Sequence, residues 1–199
     1  MSKKNVAVFV SGSGTNLQAI IDANIEAANL SVVLSNKPDA YALDRALKHE
    51  IPVEVVDHKE FNSREAFEAE ILERLKKYNI ELVVLAGFMR ILTSFFVSHY
   101  KERIINLHPA LLPSFPGVQS AKQALDYGVK FTGVTVHFVD DGVDTGPIIL
   151  QSVVPIDDTD TEDTLLKKIH DEEHRIFPRV VKLFCEDRLT ISGRIVSTK

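Results

Sequence analysis

The sequence predicts an α/β fold: a Rossmann-like, doubly wound, mostly parallel sheet with an antiparallel hairpin toward the C-terminal part. Three observations predict it. Short apolar, β-branched runs alternate with segments of helical period. A glycine-rich turn follows the first of these runs, and after Gly133 two strand-like runs are joined by a tight acidic turn. Alternating strand and helix units of this length imply parallel strands with helices packed on both faces.

The elements follow in order. Residues 6–10 form a continuous apolar run that ends in Ser11-Gly12-Ser13-Gly14, after which Leu17, Ile20 and Ile21 recur at helical spacing. Strand 32–34, helix 40–49 and strand 53–56 come next. Ser63 is a plausible N-cap for a helix over 63–78, carried by Phe67, Ile71, Leu72 and Leu75, which leads into the strand 82–86. Residues 104–108 read as a strand, followed by a proline-punctuated loop over 109–117 and a short helix over 121–127. The runs 134–139 and 148–154 form the hairpin. One long helix over about 162–185 and a small hairpin around Ser192-Gly193 complete the chain.

At 199 residues the chain has the length of one domain and can bury a sizeable core without disulfides or metal. The expected organisation is a single domain over 1–199, with a phosphate-binding half over about 1–100 and a folate and catalytic half over about 101–199, the latter named on the resemblance described below. Hydrophobic residues at 45% and charged ones at 26% exclude collagen-like and disordered readings. Twenty-three basic against 28 acidic residues lack the excess that drives nucleic-acid binding. Lone Cys185 has no partner within the chain. The apolar run after Met1-Ser2-Lys3-Lys4 is too short for a signal peptide or a membrane span, so the expected address is cytoplasmic.

The first loop lies between a strand and a helix, where glycines let backbone amides converge on an anion at the positive helix end. The dinucleotide fingerprint would need glycine at Leu17 and an acid where Ser35-Asn36-Lys37 stands, and no Gly-Lys-Ser/Thr follows for a Walker loop. A phosphate monoester is the preferred guest, against a turn that binds nothing. Asn106 and His108 point to one face at the carboxyl end of their strand, where ligands of open α/β sheets lie. The plainer reading is a polar strand end in which each satisfies local backbone.

The run Asn106-Leu107-His108-Pro109-Ala110-Leu111-Leu112-Pro113-Ser114-Phe115-Pro116-Gly117 resembles the signature of the folate-dependent formyltransferases. The likeness extends over nearly the whole chain, through Ser11-Gly12-Ser13-Gly14-Thr15-Asn16-Leu17, Ser63-Arg64-Glu65, the run from Leu85 to Leu92, and Asp144-Thr145-Gly146-Pro147. It is strongest to the purine-synthesis branch, which moves a formyl group from the co-substrate 10-formyltetrahydrofolate to the amine of 5-phosphoribosylglycinamide (GAR). By that resemblance Asn106, His108 and Asp144 are the catalytic trio. Gly14, Thr15, Asn16, His170 and Glu173 would hold the ribonucleotide. Arg64, Met89, Arg90, Ile91, Leu92, Asn106, Asp140, Asp141, Val143 and Asp144 would line the folate site. The resemblance also implies a cis bond at Leu112-Pro113. The chain departs from the family at Gln119, where many members carry histidine.

These residue types suit the chemistry. Amine attack on a formyl carbon builds negative charge on oxygen and positive charge on nitrogen, so an oxyanion donor and a proton carrier suffice. Asn106 is the expected donor. His108 is expected to hold a proton near neutral pH through the charge of Asp144, touching it directly or through water. As a plain structural residue, Asp144 would be a solvated turn acid.

Glu173 sits in the apolar stripe of the last helix. It either pairs with Arg45 or Arg179, or receives the amino or hydroxyl groups of the nucleotide. His137 is weighed as a core histidine slightly ahead of a group supporting the trio. Phe88, Met89, Ile91 and Leu92 serve as core, as a slot for a flat ring, or both. No metal is expected: His170 and His174 lack the HExxH pattern, and the acidic turn lacks the calcium-loop pattern. The expected partners are the two small-molecule substrates, with no nucleic acid or membrane and a monomer or homodimer. The rivals are a nonenzymatic nucleotide-binding module and another folate formyltransferase or hydrolase.

Overall fold

A computed structural model describes residues 3–199; the Met1-Ser2 start of the segment weighed as a targeting sequence lies outside the described residues. The strands are β1 (Lys4–Val10), β2 (Ala28–Ser35), β3 (Val53–Val55), β4 (Leu82–Leu85), β5 (Ile104–His108), β6 (Phe131–Phe138), β7 (Ile148–Pro155), β8 (Leu189–Ser192) and β9 (Ile195–Thr198). The helices are α1 (Thr15–Asp22), α2 (Tyr41–Lys48), α3 (Arg64–Leu75), α4 (Ser94–His99), α5 (Ser120–Tyr127) and α6 (Glu162–Cys185).

One sheet runs in the order β3-β2-β1-β4-β5-β6-β7-β9-β8. Strands β1 to β5 are parallel, and β6 and β7 run antiparallel as the hairpin. A short parallel contact between Ile148 and Ile195 attaches the β8–β9 hairpin.

The uninterrupted apolar runs are explained by burial on both faces. Along β1, Val6, Val8 and Val10 pack against α1, α2 and α6, while Ala7 and Phe9 pack on the opposite face against α3 and α4. Helix α6 is entered through a reciprocal cap, in which Thr161 Oγ1 accepts from the Thr164 amide and Thr164 Oγ1 accepts from the Thr161 amide.

Four features differ from the sequence reading, one being that β6 begins at Phe131 instead of 134, since residues 131–133 pair with β7. Strand β2 begins at Ala28, because residues 28–30 pair with Lys4, Asn5 and Val6 although Asn29 and Ser31 interrupt the apolar run. The helix expected over 63–78 is α-helical only to Leu75 and ends in a 3-10 turn, Lys76–Tyr78. Helix α4 was not anticipated. Six residues are too few for a 3.6-residue period to accumulate, and its buried Phe96 and Val97 adjoin the half-exposed Phe95.

The order of strands creates the site. From β1 the chain moves outward to β2 and β3, then returns to β4 on the other side of β1. The loops that leave β1 and β4 therefore diverge across a switch point, and a crevice opens above the carboxyl ends of the strands.

Candidate active site

At the crevice, β5 presents Asn106 and His108 on one face, and both reach the carboxylate of Asp144. Asp144 Oδ2 stands 3.4 Å from His108 Nδ1, and its Oδ1 accepts from Asn106 Nδ2 at 3.5 Å. The Gly117 amide donates to Asp144 Oδ2 at 2.9 Å, and His137 Nε2 lies 3.6 Å from Oδ1. Cross-strand pairing of Asn106 with His137 places that ring 3.3 Å from the Asn106 amide nitrogen. His137 is thus a core residue that also backs the trio, so its two readings coincide.

Asp144 reaches this point because the β6–β7 turn folds back over β5. The backbone of Gly146 passes so close to β6 that a Cβ there would fall 1.8 Å from the Phe138 carbonyl oxygen. Asp140 is occupied in shaping the same turn, accepting from the Gly142 amide at 3.2 Å and from Thr145 Oγ1 at 2.6 Å. Asp141 and Val143 are exposed.

The loop after β5 is pinned from below. Buried Thr135 donates to the Ala110 carbonyl and accepts from the Leu112 amide, and the Leu112-Pro113 bond is cis, as the resemblance implied. His108 Nε2 meets the Phe115 carbonyl at 2.8 Å. Gln119 is exposed in the left-handed region at φ 59°, preceding α5.

The protonation balance bears on one expectation. Burial pushes the His108 imidazole below its ordinary range, against the charge of Asp144 and the Phe115 carbonyl. The His108 side chain is only 4% exposed, and the charge of His137 acts in the same direction as burial, while both ring nitrogens face acceptors, Asp144 Oδ2 and the Phe115 carbonyl. Burial alone would raise the Asp144 carboxyl; bonding from His137 and Gly117 and the nearby His108 charge outweigh it and hold it below the usual range.

Across the switch point, the loop after β1 turns through Gly14 at φ +74°. A Cβ on Gly14 would lie 2.6 Å from that of Ala42, so glycine is required both for the turn and for contact with α2. Thr15 is exposed at the head of α1. Asn16 Nδ2 donates to Glu173 Oε2 at 2.9 Å, and the buried Asn16 Oδ1 has no hydrogen-bond partner among the described residues.

Neither arginine considered for Glu173 is its partner: Arg45 donates instead to the Ser13 carbonyl and to Gln18. Burial raises the Glu173 pKa against the Asn16 bond and the charge of exposed His170. Thr15 and Arg45, with His174 and Arg175, border a cleft of about 590 Å³ between α1 and α6. A larger concavity of about 880 Å³ lies by the amino ends of β1 and β2 and contains none of these residues.

The segment after β4 divides its apolar residues. Phe88 and Leu92 are buried in the core, whereas Met89 and Ile91 are 67% and 59% exposed. Arg64 Nη1 donates to the Ile91 carbonyl at 3.4 Å, which brings the α3 residue to the same wall, and Arg90 lies between Met89 and Ile91, partly exposed. Sequence reasoning did not foresee the Gly117 amide and the Phe115 carbonyl. Backbone groups leave no residue-type signature. Among the described residues no group of three or more His, Cys, Asp or Glu is arranged to hold a metal ion, and no helix is long and apolar enough to cross a membrane.

A doubly wound sheet bearing an amide, an imidazole and a carboxylate in mutual contact has the makings of a group-transfer enzyme, and comparison with known proteins gives the class. The sequence profile of the formyl transferase family matches residues 4–181, and the chain belongs to that family.

The chain is 45% identical to phosphoribosylglycinamide formyltransferase of Escherichia coli, over 93% of this chain and 89% of that protein. It is 46% identical to the trifunctional purine biosynthetic protein adenosine-3 of Drosophila melanogaster, over 98% of this chain, and spans only 15% of that longer protein. Among solved structures, glycinamide ribonucleotide transformylase 1 from Symbiobacterium toebii superposes with a TM-score of 0.95 at 46% identity, covering 98% of this chain and 94% of that one. A formyltetrahydrofolate deformylase from Pseudomonas syringae superposes at 0.91 with 28% identity, covering 99% and 66%.

Proposed function

We propose that this chain transfers the formyl group of 10-formyltetrahydrofolate to the amine of 5-phosphoribosylglycinamide, a step of de novo purine synthesis, at a cytoplasmic address. The observation that carries the reading is the Asp144 carboxylate held against both Asn106 and His108 at the carboxyl end of β5. The identity to the Escherichia coli enzyme over most of both chains supports the choice of substrates.

In this reading the Gly14–Asn16 turn receives the phosphate at the head of α1, and Glu173, steadied by Asn16, takes the ribose or amino end with His170 beside it. The folate ring lies on Met89 and Ile91, bounded by Arg64, Arg90, Leu92 and the turn from Asp140 to Asp144. Asn106 donates to the formyl oxygen as it gains charge. His108 takes the proton released by the amine and, as the imidazolium beside Asp144, gives that same proton to the folate nitrogen as it leaves, so the ring returns to its starting state.

The test mixes the protein with GAR and a 10-formyl folate and follows the deformylated folate by absorbance. Product that requires both substrates is the expected result. Product with folate and water alone would assign the chain to hydrolysis, the activity named for the Pseudomonas relative. Binding without turnover would leave a nucleotide-binding module.

A further inference from the structure

The Ser35-Asn36-Lys37 segment, which stands where dinucleotide-binding folds carry an acid for the ribose, has a different task here. Asn36 is 1% exposed and turned inward, and Ser11 Oγ donates to its Oδ1 at 2.5 Å. With its only proton committed to Asn36, the Ser11 hydroxyl offers lone pairs to the other side, where the Met89 amide donates to it at 2.8 Å. His58 Nδ1 lies 3.2 Å from the Asn36 amide nitrogen and 3.1 Å from the Asn36 carbonyl oxygen, so its ring stands against the same residue. Ser11 itself is 4% exposed.

This chain of bonds crosses the switch point. Ser11 begins the loop that leaves β1, and Met89 lies in the segment that leaves β4; the strands pair as far as the Ala86 amide on the Phe9 carbonyl, and the Ser11 bond continues the tie beyond them. We propose that Ser11, oriented by Asn36, is a positioning residue that sets the height of the folate-facing Met89–Ile91 wall relative to the phosphate loop. The proposal rests on the functional reading above.

The effect is directional, because Ser11 Oγ holds the Met89 amide, whereas Ile91 is held by Arg64, Phe88 and Leu92 are held by the core, and the phosphate loop does not hang on that hydroxyl. The phosphate loop has further ties: the Ala42 amide donates to the Gly12 carbonyl at 3.0 Å, Arg45 Nε to the Ser13 carbonyl at 2.8 Å, and the Gln18 amide to the Gly14 carbonyl at 2.9 Å. The Met89 amide has Ser11 Oγ as its acceptor. Loss of that hydroxyl therefore loosens the folate wall and leaves the phosphate loop in place.

The experiment compares wild type, Ser11→Ala, Asn36→Ala and the double variant by steady-state kinetics, with direct titration of a folate analogue as a readout independent of turnover. Ser11→Ala is expected to raise the folate KM and the analogue Kd about five- to tenfold, the size of one lost buried hydrogen bond, with the GAR KM and kcat within about twofold. Asn36→Ala is expected to act in the same direction, and the double variant to be no worse than the weaker-binding single, since both act through one hydroxyl. Should Ser11→Ala fail to fold, Asn36→Ala carries the same comparison. A folded variant with unweakened folate binding, a matched rise in both KM values, or additive effects in the double variant overturns the proposal alone. Absence of folate binding by the wild type overturns the functional reading and this proposal with it.

Discussion

Asp144 Oδ2 lies 3.4 Å from His108 Nδ1 while the Gly117 amide donates to the same oxygen at 2.9 Å. One carboxylate thus ties together three chain segments, β5, the loop after it and the β6–β7 turn. His108→Ala and Asp144→Asn are each expected to lower kcat by about 10²–10³-fold, the range for removing an electrostatic or proton-carrying group from a preformed site. Calorimetric titration with GAR is expected to show affinity within about threefold of wild type, because the residues proposed to hold the ribonucleotide lie at the head of α1 and on α6. Full turnover in either variant would remove that residue from the mechanism.

The pH dependence of stability follows from the same pair. Folded His108 has a pKa below the ordinary imidazole value, so the unfolded chain binds its proton first as pH falls. The stability it contributes is present above about pH 6.5, the unfolded imidazole value, and is lost as pH falls through the lower folded value. The Asp144 contribution has the same sign at lower pH: it is present above the unfolded carboxyl value near 3.9 and lost as pH falls through the depressed folded one. Thermal melts between pH 8 and pH 5 are expected to show a decline that His108→Asn reduces. An identical decline in that variant would place the titrating group elsewhere.

Gly14 answers two demands, a left-handed φ of +74° and close contact with Ala42. Gly14→Ala is expected to cost about 1–3 kcal/mol of stability, from backbone strain together with overpacking against α2. Phosphate-ester affinity is expected to fall more than folate affinity, since the substitution distorts the loop after β1. Denaturant melts and parallel ligand titrations measure both.

Glu68 on α3 is 1% exposed, and its two carboxylate oxygens receive the amide and the hydroxyl of Thr93, which leads into α4. Glu68→Ala leaves both buried donors without a partner and is expected to cost about 2–4 kcal/mol, one to two unsatisfied groups' worth. Restoring the acceptor with Glu68→Gln is expected to recover part of that loss. A melt unchanged in Glu68→Ala would show that water satisfies Thr93.

Much of the architecture was readable along the chain. The two-sided burial of β1 is written in its unbroken apolar run, and the long α6 in its stripe. The parallel order and the antiparallel hairpin follow from short-range patterning, which is also why α4, shorter than two helical turns, escaped notice. Asn106 and His108 could be placed together because two residues on one strand share a face whatever surrounds them.

What the chain could not reveal by itself concerns groups far apart in sequence and the balance of forces upon them. Glu173 offered two arginines and took Asn16, which only the packing of α1 on α6 decides. Asp144 favours a charged His108 and burial opposes it, and the extent of burial depends on how completely the folded chain encloses the ring, a quantity no local spacing encodes. Ser11 and Asn36 read as a loop and a missing ribose acid; their bond to each other and to Met89 exists because the strand order sets β2, β1 and β4 side by side. Local pattern determines which elements form and which faces they bury. Long-range enclosure, assembled only in the folded state, determines which polar groups lose water and therefore which partners and protons they keep.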